Sequence, residues 1–273
     1  MFAAVDVGGT QLRLGISSGG RRFDTIVKYK TPNSAKEGIQ TIVTTIVKLK
    51  GERKLHGVAL AVPTPVSQRE AVRLNFPNLP GWRNIPIAPL LATKLNTKIR
   101  MLNDAAAAGL GEAAQGAGRG YDIVAYLTLS TGIGGARIHQ GIVDGAAQGF
   151  EPGQQILIPN GKRCGCGQRG CFEAYASGTA FYKTYGIRPE DCRDKKIWAR
   201  HAQIVGWGLI NTIVHWSPDV VVIGGGLAQA GNLLFAPLRT FIRTHLKILK
   251  PPPIKPAKLG DDAGLYGCLE LLR

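Results

Sequence analysis

Phe2-Ala-Ala-Val-Asp6-Val7-Gly8-Gly9-Thr10-Gln11-Leu-Arg-Leu-Gly-Ile16 is an apolar strand, a two-glycine turn ending in threonine, and a second run with strand alternation. A Gly-Gly-Thr turn between strands makes a hairpin whose N–H groups and hydroxyl can face a phosphate, and Asp6 at the strand's end is available to a cation. Alone the signal is weak. Many hairpins carry Gly-Gly, and an aspartate before one often only caps the turn; no Gly-Lys-Ser/Thr follows, so this is not a Walker loop. The same grammar returns at Tyr121 to His139, where an apolar strand runs into Ser130-Thr131-Gly132-Ile133-Gly134-Gly135 and a second strand resumes. Two such hairpins are far less easily accidental than one, and facing each other they would clasp a phosphate chain.

Around these hairpins the pattern alternates strands and helices. Arg21 to Thr31 reads as a strand. Ala35 to Lys50 reads as a helix, with apolar residues at Ile39, Ile42, Val43, Ile46, Val47 and Leu49. Gly57 to Val62 is a buried-type strand stopped by Pro63-Thr64-Pro65, and Asn75 to Trp82, including Asn78, is a proline-rich loop before a helix at Ile87 to Leu95. Thr64 and Asn78 either cross the surface with their loops or hydrogen-bond a ligand. Ile99 to Leu102 is a short strand delivering Asn103-Asp104 to an alanine-rich helix. A carboxylate there is stabilised as an anion by the helix dipole and can cap the first turn. A plain N-cap is the commoner outcome, but the crossing point between halves is where α/β proteins gather ligands. After a glycine-rich turn at Gly141 to Gly149, the pattern predicts a helix from Tyr175, a loop at Tyr185 to Lys195 and a long helix at Ile197 to Trp216. His201 and His215 on that helix suit packing or solvation better than ligation. Pro218 to Ile223 lacks polar alternation and reads as a buried parallel strand. It runs into Gly224-Gly225-Gly226, where a flat ring or a phosphate could approach the backbone, or the chain could simply turn tightly. A helix at Leu233 to Leu246, a Pro/Lys segment at Lys250 to Pro256 and a terminal helix opening at Gly260 follow.

Cys164-Gly-Cys166-Gly-Gln-Arg-Gly-Cys171-Phe-Glu173 stands apart from this rhythm. Three thiolates at this spacing can close on one soft or borderline metal ion, zinc foremost, with glycines letting the backbone wrap. The alternative is three reduced cysteines in a glycine-rich loop. Glu173 just beyond it and Glu151-Pro-Gly-Gln154 just before it would rim a polyhydroxyl ligand.

The chain has 273 residues, enough for two modest domains, and 44% of them are hydrophobic. No apolar run reaches spanning length, and the N-terminus lacks a secretory signal pattern, so cytoplasmic placement and no membrane association are expected. Five cysteines, three in one cluster, do not make a disulfide framework; Cys192 and Cys268 read as ordinary thiols. The formal charge of +16 attracts polyanions such as nucleotide, polyphosphate or nucleic acid. The cations are scattered, with no arginine-rich arm or aromatic platform, so no specific nucleic-acid binding is expected.

Taken together, Asp6-x-Gly-Gly-Thr10, Asn103-Asp104-Ala, Thr131-Gly-Ile-Gly-Gly135, Glu151-x-Gly153, the cysteine motif with Glu173, and Ile223-Gly-Gly-Gly226 resemble the ROK family of bacterial sugar kinases and related repressors. The resemblance runs over essentially the whole chain, and the cysteine motif is highly specific. The repressor branch adds an N-terminal DNA-binding domain, whereas here the first strand starts at once, which favours the kinases. The resemblance implies an α/β, actin/hexokinase-like (ribonuclease H-like) two-domain fold with a central cleft. Residues 1–104 would form a small domain joined by a C-terminal helix at about 262–273, and residues 105–261 a larger one carrying the cysteine loop. It implies Asp104 as general base and Asn103, Glu151, Gln154 and Glu173 as sugar ligands, with Thr64 and Asn78 as weaker ones. Gly8, Gly9, Thr10, Thr131, Gly132, Gly134 and Gly135 would hold ATP phosphates, Gly224, Gly225 and Gly226 would lie under adenosine, and Mg²⁺ would bridge phosphate oxygens near Asp6. It implies zinc on Cys164, Cys166 and Cys171, glucose as the default sugar, and a homodimer or homotetramer. Polyphosphate-dependent phosphorylation and non-catalytic sugar sensing are the alternatives. The family's Glu-x-Gly-His motif ends here in Gln154, and an amide is a poorer zinc ligand than imidazole. Gln11 stands where many relatives carry lysine, and the segment from Gly178 to Ile197 is shortened.

Overall fold

The computed structural model describes residues 1–64, 66, 80–145 and 149–273; Asn78 and most of the proline-rich loop predicted before Trp82 lie outside the described residues. The chain divides into two compact units. The first is Met1–Ala114 with Gly145–Gly149 and Asp261–Arg273, and the second is Gln115–Asp144 with Phe150–Gly260.

The first unit opens with β1 (Phe2–Val7), β2 (Gln11–Ser17) and β3 (Thr25–Lys30), then α1 (Ala35–Lys50), β4 (Gly57–Val62), α2 (Ile87–Leu95), β5 (Ile99–Asn103) and α3 (Asp104–Gln115). Its sheet runs β3-β2-β1-β4-β5, with β1, β2 and β3 antiparallel and β1, β4 and β5 parallel. Every residue of β4 is buried, as a central parallel strand covered on both faces requires. The helix reading of 35–50 holds residue for residue: Ile39, Ile42 and Ile46 bury one stripe of α1, and Gly51, at φ 58°, closes it.

In the second unit β6 (Ile123–Leu129), β7 (Ile133–His139) and β8 (Ile142–Val143) are followed by α4 (Glu173–Ala176), α5 (Gly178–Tyr185), α6 (Lys195–Trp216), β9 (Val220–Gly224), α7 (Asn232–His245) and β10 (Ile254–Pro256). The sheet order is β10-β9-β6-β7-β8. Read from β8, this repeats the first sheet strand for strand: three antiparallel strands, then two parallel to the first of them. Each unit therefore carries one copy of the expected ribonuclease H-like sheet. The single helix expected from Tyr175 is two, because Ser177 leaves helical geometry at ψ 164° and caps α5 by accepting from the Ala180 N–H at 3.1 Å. Asp194 starts α6 in the same way, accepting from the Lys196 and Ile197 N–H groups. His201 is fully buried against Phe181 and Trp198, with Nε2 3.1 Å from the Ala176 carbonyl oxygen; burial lowers its pKa to about 4, so it is a neutral packing residue.

The chain ends in α8 (Ala263–Leu271), which belongs to the first unit and packs on β1, β4 and α3. Ala4, Ala59, Ala61, Ala107, Leu265 and Cys268 form that layer. The small side chains let helix backbones lie close to one another, and α3 counts with the first unit, past the expected division at residue 104. No helix among the described residues is long and apolar enough to cross a membrane.

Candidate active site and cysteine cluster

In the first unit the carboxyl ends of three neighbouring strands bring the expected residues to one edge of the sheet. Asp6 lies near the end of β1, Thr64 follows β4, and Asn103 ends β5, paired with Val62 across the ladder. Asn103 is the helix cap: its Oδ1 accepts from the Ala105 and Ala106 N–H groups at 3.0 and 3.3 Å, while its Nδ2 donates to the Thr64 carbonyl oxygen at 3.4 Å. Capping therefore falls mainly to Asn103. The Oδ1 of Asp104 accepts from the Ala105 N–H at 2.8 Å. Burial raises the pKa of Asp104, against the lowering effect of the Ala105 N–H, of its own N–H and of the Asn103 side chain.

Asp6 is 8% exposed and sits opposite Arg13 in the β1–β2 register, with Oδ2 3.1 Å from the guanidinium. Burial raises its pKa to about 6; Arg13 opposes this, and the charges of Asp104 and Asp261 add to it. Arg13 also reaches Asp261 at 3.4 Å and donates to the Gln11 side chain. Sequence reading missed this arginine, although hairpin register places it across from Asp6. The Gly8–Thr10 turn is fixed by Gly8 N–H donating to the Gln11 carbonyl at 3.0 Å and by the Thr31 hydroxyl donating to the Gly8 carbonyl at 2.7 Å; Gly9 and Thr10 are exposed. A raised aspartate pKa means that the folded state prefers the neutral acid. Its stabilisation is fully present below 3.8, the unperturbed value, and is lost as pH rises through about 6. That gap corresponds to on the order of 3 kcal/mol. Asp6→Asn is therefore expected to melt at a higher temperature than the parent at pH 8 and to match it at pH 4. Equal melting temperatures at both pH values would remove the burial argument.

In the second unit the corresponding strand ends carry the second hairpin and the triple glycine. Ser130, Thr131 and Gly132 form the β6–β7 turn, closed by Ser130 N–H to the Gly132 carbonyl at 2.9 Å. Helix α5 holds it from the side: Gly178 N–H donates to the Ser130 carbonyl and the Thr179 hydroxyl to the Thr131 carbonyl, at 2.7 and 2.8 Å. Gly134 and Gly135 lie inside β7 rather than at the tip. A β-carbon on Gly135 would meet the Tyr126 carbonyl oxygen at 2.6 Å, so close backbone packing accounts for that glycine. Gly225 has φ 85° and would place a β-carbon 2.4 Å from the Leu129 carbonyl oxygen, which binds the triple-glycine turn to the hairpin strand. A cavity of about 380 Å³ opens here, lined by Ser130, Thr131, Tyr182, Arg188, Gly226 and Leu227 among others.

Glu173 joins the hairpin to the cysteine loop. Its Oε2 accepts from the Ile133 N–H at 2.9 Å, and its Oε1 lies 3.8 Å from the Cys164 sulfur. Gln154 ends a short 3₁₀ turn, and its Oε1 is buried with no hydrogen-bond partner, an acceptor that suits an incoming hydroxyl. Glu151, at the start of that turn, is exposed.

The three cysteines converge: their sulfurs lie within 4.8 Å of one another, with Cys166 and Cys171 3.6 Å apart. Gly167 and Gly170, at φ 96° and 83°, provide the reversals that the convergence needs. The Gln168 Oε1 is 3.5 Å from the Cys171 sulfur. Among the described residues no histidine or carboxylate joins the set. This donor set fits a thiophilic ion, with Cys164, Cys166 and Cys171 holding it.

Residues 2–273 match the model of the ROK family. The glucokinase of Thermotoga maritima is 31% identical over an alignment covering 98% of this chain and 96% of that protein. The ROK hexokinase of Thermus thermophilus superposes with a TM-score of 0.86 at 30% identity, covering 98% of this chain and 97% of that one. The ROK glucokinase of Streptomyces griseus, solved with glucose and AMPPNP, gives 0.82 at 27% identity, covering 99% and 98%. With the family model matched from the second residue to the last, the two repeated sheets and the glycine turns at their strand ends have one common explanation: the chain belongs to the ROK family.

Proposed function

We propose that the protein is an ATP-dependent hexose kinase, with glucose the first sugar to test. The observation that carries the reading is Asp104. It opens α3 directly after β5, its Oδ1 held by the Ala105 N–H, and burial makes it more basic than an ordinary carboxylate. The carboxylate takes the proton of a sugar hydroxyl as the hydroxyl oxygen attacks the terminal phosphorus and ADP leaves with the bridging oxygen. A base so placed contributes about 10²–10⁴-fold, the remainder coming from alignment and charge neutralisation.

Asn103, Glu151, Gln154 and Glu173 bind sugar hydroxyls in this reading. Gly8 to Thr10 and Thr131 to Gly132 hold the donor phosphates, with Gly224 to Gly226 beneath the adenosine. Mg²⁺, held near Asp6, would supply charge neutralisation for the donor phosphates. At Asp6, Oδ2 is taken by Arg13, which leaves Oδ1 for a hydrated cation. Names among the similar proteins support the donor and acceptor classes: glucokinase for the Thermotoga relative, and glucose with an ATP analogue in the Streptomyces structure. The reading places the protein in the cytoplasm, where ATP is made and used, as a homodimer or homotetramer that light scattering would reveal. A coupled ADP-release assay over glucose, mannose, fructose and N-acetylated amino sugars tests it. Sugar binding by calorimetry without transfer from any donor would instead favour a non-catalytic sensor, a reading that Gln154 motivates.

Zinc on the three cysteines would pin the loop that carries Glu173. Purified protein is expected to contain about one metal ion per chain by elemental analysis. Cys171→Ser, which removes a buried ligand, should lose that ion and raise the sugar KM about tenfold or more while changing the ATP KM little. Metal-free protein with an unchanged sugar KM would end the structural-zinc reading.

A further inference from the structure

A second cavity, of about 460 Å³, adjoins the Thr131 turn on the side of the cysteine loop. It shares Thr131 and Thr179 with the 380 Å³ cavity at the triple glycine, so the two meet at the hairpin. Three cations line it: Lys162 and Arg163 from the loop before Cys164, and Lys183 from α5. Thr179, Ala180 and Lys183 are spaced so that one face of α5 forms the wall. The loop side is fixed as well. Tyr175 accepts the Lys162 N–H at 2.6 Å and lies under its ammonium at 5.1 Å, and Arg163 pairs with Arg169 in a short antiparallel bridge. Among the described residues none of the three cations forms an ion pair. The one carboxylate in the wall, Glu173, is turned to the Ile133 N–H and Cys164.

Cations without a carboxylate partner, held on fixed backbone around a solvent-open volume of this size, recruit an anion, and the volume suits a few phosphate groups rather than a helical nucleic acid. We propose that this cavity is a second phosphoryl-anion site, in which Lys162, Arg163 and Lys183 bind phosphate oxygens next to, but apart from, the nucleotide. It rests on the reading of Thr131 as a donor-phosphate ligand only for its position relative to the donor. Two sources share the required chemistry. A condensed inorganic phosphate would run past Thr131 along both cavities, and a hexose phosphate would lie against Glu173.

The test uses the whole protein and the double variant Lys162→Gln/Lys183→Gln, whose two side chains are exposed. Tripolyphosphate, glucose 6-phosphate and inorganic phosphate are titrated calorimetrically at low and high salt without nucleotide, and AMPPNP is titrated separately. The expected result is salt-sensitive binding of at least one phosphorylated probe, weakened about tenfold or more in the double variant, with AMPPNP affinity retained. The preferred probe identifies the source. The proposal is overturned if no probe binds, if the variant binds the probes like the parent, or if AMPPNP affinity falls with them, since the cations would then belong to the nucleotide site. Failure of AMPPNP to bind the parent protein would count against the kinase reading while leaving the phosphate titrations to decide the second site.

Discussion

Asp104→Asn is expected to lower kcat by about 10²–10⁴-fold while sugar and nucleotide affinities stay within a few-fold of the parent. Asparagine matches the carboxylate in shape and keeps an oxygen to accept the Ala105 N–H, and Asn103 continues to cap α3 by accepting from that N–H and from the Ala106 N–H. The substitution therefore removes a base and little else. The pH profile separates this role from a structural one. A general base must be deprotonated, so activity falls as pH drops through its pKa. Burial has moved that pKa upward, so the acid limb of kcat/KM should lie above the ordinary carboxylate value of about 3.9. Asp104→Asn should lose that limb along with its rate. If Asp104 were only part of the helix start, the variant would melt earlier and turn over normally, and that outcome would remove the base assignment.

The fold was legible because its signals are local and repeated. β4 and β9 announce themselves as unbroken apolar runs ending in breakers, and α1 by a 3.6-residue stripe; all three lie close to where periodicity puts them. Element ends were less legible. The strand read from Arg21 begins at Thr25, because Ser17 and Asp24 tie residues 17–24 into a turn: the Ser17 hydroxyl donates to the Arg22 carbonyl, and Asp24 accepts from Ser18. The split between α4 and α5 depends on one serine leaving helical geometry, which composition does not show.

The site divides along the same line. Asp6, Asn103 and Asp104 stand out as candidates in the sequence because they sit at strand ends, where polar residues interrupt apolar runs. Arg13, Thr31 and Thr179 do not, because their importance lies in pairings across a hairpin or between segments distant in sequence. At Gly134 and Gly135 the motif leaves open whether a glycine serves a ligand or the packing of the strand. Both lie within β7, and the pairing of Gly135 with Leu127 brings it under Pro152.

Gly267→Ala is expected to be the most damaging single-methyl change in the first unit. In an exposed helix interior this substitution would stabilise by nearly 1 kcal/mol, since alanine is the better helix former. Here a β-carbon on Gly267 would stand 1.7 Å from the Ala107 carbonyl oxygen, and one on Gly111 would stand 2.3 Å from the Ala263 carbonyl oxygen. Backbone faces backbone at both positions, so no rotamer change relieves the clash, and α3 and α8 must move apart. That separation opens the layer formed by Ala107, Leu265, Cys268 and the alanines of β1 and β4. Overpacking at a site that cannot yield costs about 3 kcal/mol, which for a chain of this size lowers Tm by roughly 6–12 °C. The effect reaches the chemistry as well. Asp104 is the first residue of α3, and Gly264 at the start of α8 lies against Asp6, with its would-be β-carbon 3.4 Å from Oδ2. Turnover measured well below both melting temperatures should therefore fall in Gly267→Ala, whereas Gly19→Ala, with open space around it, should leave both properties unchanged. A Gly267→Ala protein that melts and turns over like the parent would mean that α3 and α8 do not meet backbone to backbone, and with that the fixed position of Asp104 would lose its support.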